Sequence, residues 1–359
     1  MGQKLQTLVL LSPGFARDEM DTTCIPVLQL FVKNLKIQFP RLQVFVLAFQ
    51  YPFSAGEYAF RGARVISFNG RNRGKALRLV TWIKVWLTLA RLHRQYRLVG
   101  LLSFWLSECA FVGSIFARRH RLKHFTWLLG QDAKAGNRYF TLIKPGSENL
   151  IVLSDALAAE VFKNYAVKPR HIIPLGIDPA IFPVVSGERN IDILGAGSLI
   201  PLKRYDLFVA VIQKLIVRFP GLRVVLCGKG PEKNRLLNQI GESNLQEVVT
   251  LVDEVPHTQV LALMQQSKIF LHTSVYEGFA AVCAEALYAG AQVVSFCRPI
   301  HQPIKNWHIV ETEAELTDQL ALLLANPDLC QDRVLPFTIQ EACTRIMALF
   351  GHEGNNHGT

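Results

Sequence analysis

The 359-residue chain contains no stretch of about 18 or more uncharged apolar residues, so no transmembrane helix is expected. Its start, Met1 to Phe15, runs straight into the apolar segment Leu8–Leu11 without a small-residue cleavage pattern, and no secretory signal is expected. The seven cysteines, at 24, 109, 227, 283, 297, 330 and 343, form no C-x-x-C pair. Most lie in apolar runs, which fits reduced core thiols in a cytosolic protein better than a disulfide frame or a zinc site. There is no G-x-x-x-x-G-K-[ST] loop, no zinc finger and no aromatic RNA-binding signature, so nucleic acid is not an expected partner. No G-x-G-x-x-G opens a helix either, since Gly195-Ala-Gly197 is followed by Ser-Leu-Ile, and this argues against a dinucleotide-dependent oxidoreductase. His124, His171, His257, His272 and His301 show no metal spacing and are expected to be structural or solvent residues.

Half of the residues are apolar, enough for two core-bearing domains. The net charge of +11 is unevenly spread: residues 1–185 carry 25 Lys/Arg against 10 Asp/Glu, and residues 186–359 carry 14 against 18. The basic half suits phosphates or an anionic surface. Apolar runs at 7–11, 42–49, 64–68, 99–103, 123–128 and 150–153 read as strands, with helix-like sequence between them, notably from about Cys24 to Gln38 and from Gly74 to Tyr96. The polar segment Gly187–Asn190 is the best linker candidate, after which strands and helices alternate again as far as Phe296. This βαβα rhythm implies parallel sheets covered by helices on both faces. The expected domains are residues 1–186 and 187–336, followed by a C-terminal helix and a frayed tail over 337–359. The helix could cross back to the first domain.

The strongest local signal is Ser274-Val-Tyr-Glu277-Gly278-Phe279-Ala280 with Glu285 beyond it. Ile269–His272 is a short buried strand by composition, which places Glu277 and Gly278 at its C-terminal mouth. Glu285 then falls within the first turns of the next helix, whose free amides can hold phosphate oxygens. Glu285 is flanked by Cys283, Ala284, Ala286 and Leu287, and a carboxylate in such surroundings needs a partner. The plain alternative is a solvated loop glutamate and an ordinary helix charge.

The spacing of Glu277 and Glu285, set in E-G-F-A-A-V-C-A-E-A-L-Y-A-G, resembles the E-x7-E signature of the retaining glycosyltransferases of family 4. Gly197-Ser-Leu-Ile-Pro-Leu-Lys203 is similar to that family's phosphate-binding loop, and Val224-Val-Leu-Cys-Gly228 to its next strand and turn. Val152-Leu-Ser154 and Ile173-Pro-Leu-Gly176 resemble the end of its first domain. The likeness covers residues 150–297 well and the first 120 only loosely. It implies a GT-B fold, two Rossmann-like doubly wound α/β domains facing across a cleft. It also implies transfer of a hexose-type sugar from a nucleoside-diphosphate sugar to a glycan, lipid-linked or small-molecule acceptor. By the resemblance Lys203 contacts the donor diphosphate, Glu277 holds the sugar hydroxyls and Glu285 the ribose. Backbone of Gly278, Phe279 and Ala280 faces the diphosphate or sugar, and Val255 lies beside the base. Gly14 and Gly228 sit at the ends of strands in the two domains, and Asp132 is a candidate on the acceptor side. Ser198 stands where the family usually has arginine, so half of the expected cationic clamp is missing.

No Asp-x-Asp pair is present, so neither a metal nor another cofactor is expected. Arg71–Arg97 has two readings: a helix lying on an anionic membrane with Trp82 and Trp86 at the interface, or an ordinary domain helix with a solvated basic face. A cytoplasmic protein, peripheral at the inner face of the membrane in the first case, is the resulting expectation. The alternative function is a non-catalytic nucleotide-sugar-binding protein that keeps the fold.

Overall fold

The computed structural model describes residues 4–185 and 187–352; the tail expected to fray lies outside them from residue 353 onward. The chain divides into two compact units, Met1–Gly176 with Ile339–Thr359, and Ile177–Thr338.

The first unit runs β1 (Gln6–Gly14), α1 (Pro26–Gln38), β2 (Gln43–Tyr51), β3 (Gly56–Phe60), β4 (Ala63–Ser67), α2 (Lys75–Gln95), β5 (Arg97–Phe104), α3 (Glu108–His120), β6 (His124–Leu128), α4 (Arg138–Ile143), β7 (Leu150–Val152), α5 (Asp155–Tyr165) and β8 (His171–Ile172). Its sheet has the order β3-β4-β2-β1-β5-β6-β7-β8. The central strands β1 and β2 are nearly continuous apolar runs because both of their faces are covered. Helix starts follow the sequence: Pro26 opens α1, and the Ser154 hydroxyl accepts the Leu157 amide at the head of α5. Strand β3 is an addition to the expected elements. It pairs antiparallel with β4 at the sheet edge, and being mostly exposed it carries no apolar alternation to betray it. The turn into β4 is made by Arg61 and Gly62, both at positive φ.

Within α2 the two tryptophans face inward, which does not suit the one of the two readings that set them at a membrane interface. The Trp82 indole donates to Glu108 Oε2 at 2.7 Å and its ring meets Phe111 at 5.2 Å, while Trp86 meets Phe116 at 5.1 Å. Indole N–H groups need an acceptor when covered, and buried Glu108 supplies one.

The second unit runs β9 (Ile191–Ala196), α6 (Tyr205–Leu215), β10 (Val224–Cys227), α7 (Lys233–Glu242), β11 (Val249–Val252), α8 (His257–Gln265), β12 (Ser267–His272), α9 (Ala281–Tyr288), β13 (Gln292–Ser295), β14 (Trp307–Ile309) and α10 (Glu313–Leu324). All its strand pairs are parallel, in the order β11-β10-β9-β12-β13-β14. The order reverses between β9 and β12, and a sheet of this kind opens a crevice outside the carboxyl ends of the two strands at that point. The passage between the units falls at Gly176/Ile177, ten residues before the expected boundary at 186/187. The polar segment Gly187–Asn190 is held down, because the Arg189 guanidinium donates to the carbonyls of Met264, Ser267 and Ala289 at 3.2, 2.5 and 2.6 Å.

After the second unit the chain returns to the first as α11 (Ile339–Leu349). Gln340 donates to Asn34 Oδ1 at 3.0 Å, and Arg345 to the Ile172 carbonyl at 2.6 Å. The Phe350 ring stands edge-on to Phe125 at 5.1 Å and lies over Gly100, where an added Cβ would come within 2.3 Å of it. Ile346 and Met347 of α11 are fully buried. Ile346→Ala is therefore expected to lower the unfolding free energy by about 2–5 kcal/mol. Urea denaturation would show it as an earlier midpoint; an unchanged midpoint would mean that α11 does not hold the first unit together.

Candidate functional site

Three loops meet at the carboxyl edge of β9, β10 and β12, and hydrogen bonds fix them to one another. The loop after β9 winds into a short 3-10 turn, Pro201–Lys203. Thr273, just past β12, donates its hydroxyl to the Lys203 carbonyl at 2.7 Å, and Ser274 donates to the Leu202 carbonyl at 3.3 Å. The Leu199 amide donates to the Lys229 carbonyl at 2.9 Å, which ties in the loop after β10. Gly228 is obligatory here: a Cβ on it would lie 1.9 Å from the Gly197 carbonyl oxygen.

This stitching brings Lys203 against Glu277. The Lys203 ammonium forms an ion pair with Glu277 Oε1, both side chains being 19% exposed. His272, the last residue of β12, is buried, with Nε2 3.3 Å from the same oxygen. Neither ring nitrogen makes a well-aligned hydrogen bond among the described residues, so the approach of Nε2 to Oε1 is a long, bent one. Burial alone would raise the Glu277 carboxyl, but the His272 ring and the Lys203 ammonium outweigh it and hold the group at about 2. Burial pushes the His272 imidazole down, so it is neutral near pH 7.

Gly278, Phe279 and Ala280 lead from Glu277 into α9. Gly278 is buried, and the Phe279 ring is covered by Phe337 at 5.3 Å, so at this position only main chain can serve a ligand. Ala280 is left-handed at φ 58°, and the N-terminus of α9 has no side-chain cap. An uncapped N-terminus is a ready anion site. Glu285 is 16% exposed and accepts from His257 Nε2 at 2.9 Å. Here is the partner its apolar setting demands. His257 opens α8, directly after the turn that carries half-buried Val255. Its hydrogen bond to Glu285 raises the imidazole pKa against the opposing effect of burial.

The structure thus brings together Lys203 and Glu277, and separately Glu285 and the Val255 turn, on one edge of one sheet. Ser198 is exposed on the β9 loop. Arg204 does not replace the missing arginine: it lies 3.1 Å from Glu313 and 3.7 Å from Asp206. Two residues expected to be structural or solvent groups, His257 and His272, belong to this site. Neither has a metal spacing, and their only sequence signal is position, at a helix start and a strand end.

Gly14 and Asp132 belong to the other unit. Gly14 is buried at the end of β1, with Cys24 Sγ and Tyr51 Cβ each 3.4 Å from where its Cβ would stand. Asp132 is 8% exposed and accepts the amides of Leu106, Gly130 and Leu129 at 2.8, 3.0 and 3.2 Å. Burial raises its carboxyl to about 6 despite these bonds. Its carboxylate organises the ends of β5 and β6.

Residues 178–334 match the model of the family described as Glycosyl transferases group 1. The match takes in nearly all of the second unit. The chain is 31% identical over 151 residues to a phosphatidylinositol N-acetylglucosaminyltransferase component from Arabidopsis thaliana, and the match covers 41% of this chain and 32% of that protein. The chain spans about a third of the length of such curated relatives. Among solved structures, sucrose-phosphate synthase from Thermosynechococcus elongatus has a TM-score of 0.69 at 17% identity, covering 96% of this chain and 95% of that one. The Anabaena HepE protein in complex with UDP and glucose has a TM-score of 0.64 at 15% identity, covering 96% and 97%. The chain has the GT-B fold of two Rossmann-like units.

The His257–Glu285 pair has a pH signature with a definite sign. A raised imidazole pKa stabilises the fold fully below the ordinary value of 6.5, and the contribution is lost as pH rises through the folded-state value. The melting-temperature difference between the native chain and Glu285→Gln is expected to be largest near about pH 5 and to shrink by about pH 9. A difference that grows with pH would contradict the pairing.

Proposed function

We propose that this chain is a retaining glycosyltransferase that takes a sugar from a nucleoside-diphosphate sugar. The observation that carries the reading is the arrangement at the β9/β12 switch point. A lysine on one loop is held against a glutamate on the next, beside an uncapped helix N-terminus and a second glutamate one helix turn further along. In this reading the diphosphate lies across Lys203 and the α9 amides, Glu277 takes sugar hydroxyls and Glu285 takes the ribose diol. The base lies along the Val255 turn, where main-chain groups would read it. The UDP and glucose in the HepE structure and the N-acetylglucosaminyltransferase name of the Arabidopsis relative support a nucleotide-sugar donor. That relative's name also supports a lipid-borne acceptor, alongside glycans.

In this reading Glu277 holds the donor and does not shuttle protons. A carboxyl held at about 2 is a weak base and is never protonated near neutrality, whereas a general acid or base works best with a pKa near the operating pH. The bond from the anomeric carbon to the diphosphate breaks through an oxocarbenium-like state. The acceptor oxygen bonds to that carbon on the same face, and its proton passes to the departing diphosphate. Lys203 and the helix amides stabilise the charge that develops on the leaving group. These cations and dipoles come from the chain itself, so the proposed reaction needs no divalent metal.

A panel of UDP-, GDP-, ADP- and dTDP-sugars tests the reading by thermal shift and by product analysis. One donor is expected to raise the melting temperature and to yield a product of unchanged anomeric configuration, with activity intact in EDTA. Lys203→Met is expected to lower kcat by about 100- to 1000-fold, and Glu285→Ala to abolish the donor shift. A donor that binds without ever being transferred or hydrolysed would favour the non-catalytic alternative. Loss of activity in EDTA, restored by Mn²⁺, would overturn the metal-free mechanism.

A further inference from the structure

Helix α2 is apolar on two faces, and only one of them is covered. Val85, Leu89 and Leu92 are buried in the first unit's core. On the outward side Leu77, Leu79, Val80, Ile83 and Leu87 are 46–61% exposed. Val80, Ile83 and Leu87 follow i, i+3, i+7 spacing, so they form one stripe. A helix apolar all round is ordinarily covered all round, and a solvent-facing stripe of large aliphatic side chains marks an interaction surface.

The charge around the stripe indicates what covers it. Residues 71–97 contain eight Lys/Arg and no Asp or Glu. Lys84, Arg91 and Arg94 are exposed on the same helix, and Arg71 and Arg73 are exposed in the loop before it. Beside that loop Phe53 is 57% exposed, with the Arg71 guanidinium 5.9 Å from its ring and donating to its carbonyl at 2.9 Å. The acidic groups that face the helix are already taken. Glu57 pairs with Arg64 and lies 3.8 Å from Arg91, and Glu108 is buried on the covered side. A second copy docked through this face would set arginine and lysine against their own counterparts. An anionic bilayer offers both things the face lacks, hydrocarbon for the stripe and negative headgroups for its rim.

We infer that α2 lies in the plane of an anionic lipid surface, with Val80, Ile83 and Leu87 inserted and Lys84, Arg91 and Arg94 at the headgroups. The 21-residue helix is long enough for about 30 Å of contact in that plane. The inference does not depend on the donor site, since no residue of the second unit enters it.

The test is flotation of the whole chain with vesicles of phosphatidylcholine alone or of equal parts phosphatidylcholine and phosphatidylglycerol. Binding is expected to the mixed vesicles, with little to the neutral ones. Ile83→Ser with Leu87→Ser, and separately Lys84→Glu, should each reduce it by about tenfold. These side chains are exposed, so an unchanged melting curve will confirm folding. Val217→Ser, on an 87% exposed valine in the second unit, should bind like the native chain. No binding to the mixed vesicles, or binding that survives the double substitution, would overturn the inference. So would concentration-dependent dimers that the double substitution dissolves while vesicle binding is absent, because a second copy would then be the occupant.

Discussion

The pairing of Lys203 with Glu277 joins the two loops on which the candidate site is built, and the reversal of strand order between β9 and β12 makes it possible. Neither loop could hold its charge alone. Each side chain is 19% exposed, and an unpaired ammonium or carboxylate at that depth would be costly. The Thr273 and Ser274 hydroxyls lock the backbones that present the pair, and Gly228 lets the β10 loop close over Gly197 without a clash. The main-chain geometry of the candidate site is therefore set before any ligand arrives.

Much of this was legible in the sequence, for identifiable reasons. The parallel sheets follow from short apolar runs separated by amphipathic ones; five of the six strands in the second unit follow that rhythm, and edge strand β14 lies beyond Phe296, where the expected alternation ends. Glu285 stood out because a charged residue in an apolar run needs an explanation, and Glu277 because it follows a short buried strand. What the sequence could not display was pairing across long separations. His257 lies 28 residues from Glu285, and nothing local marks it as that carboxylate's partner. The same holds for Arg189, whose polar neighbourhood looks like a linker but whose guanidinium is fixed by three carbonyls up to 100 residues away. Edge strand β3 escaped because exposed strands lack the pattern that buried ones must have. In α2 the apolar residues were visible in the sequence, but not which of them the core would claim.

The two halves of the chain carry their chemistry differently. The second unit concentrates a few opposed charges at one sheet edge, where they fix geometry. The first is broadly basic, and its most exposed apolar stripe lies among those basic residues. Asp132, the one acidic residue between Glu108 and Glu148, is spent on three backbone amides. That makes it a residue that shapes the loops after β5 and β6.

The most direct measurement is a crystal structure of the chain with the nucleoside diphosphate of its donor. The account predicts density for the two phosphates between Lys203 and the first turn of α9, with the ribose hydroxyls on Glu285. A nucleotide bound away from the β9/β12 edge, with the Lys203–Glu277 and His257–Glu285 contacts undisturbed, would contradict it.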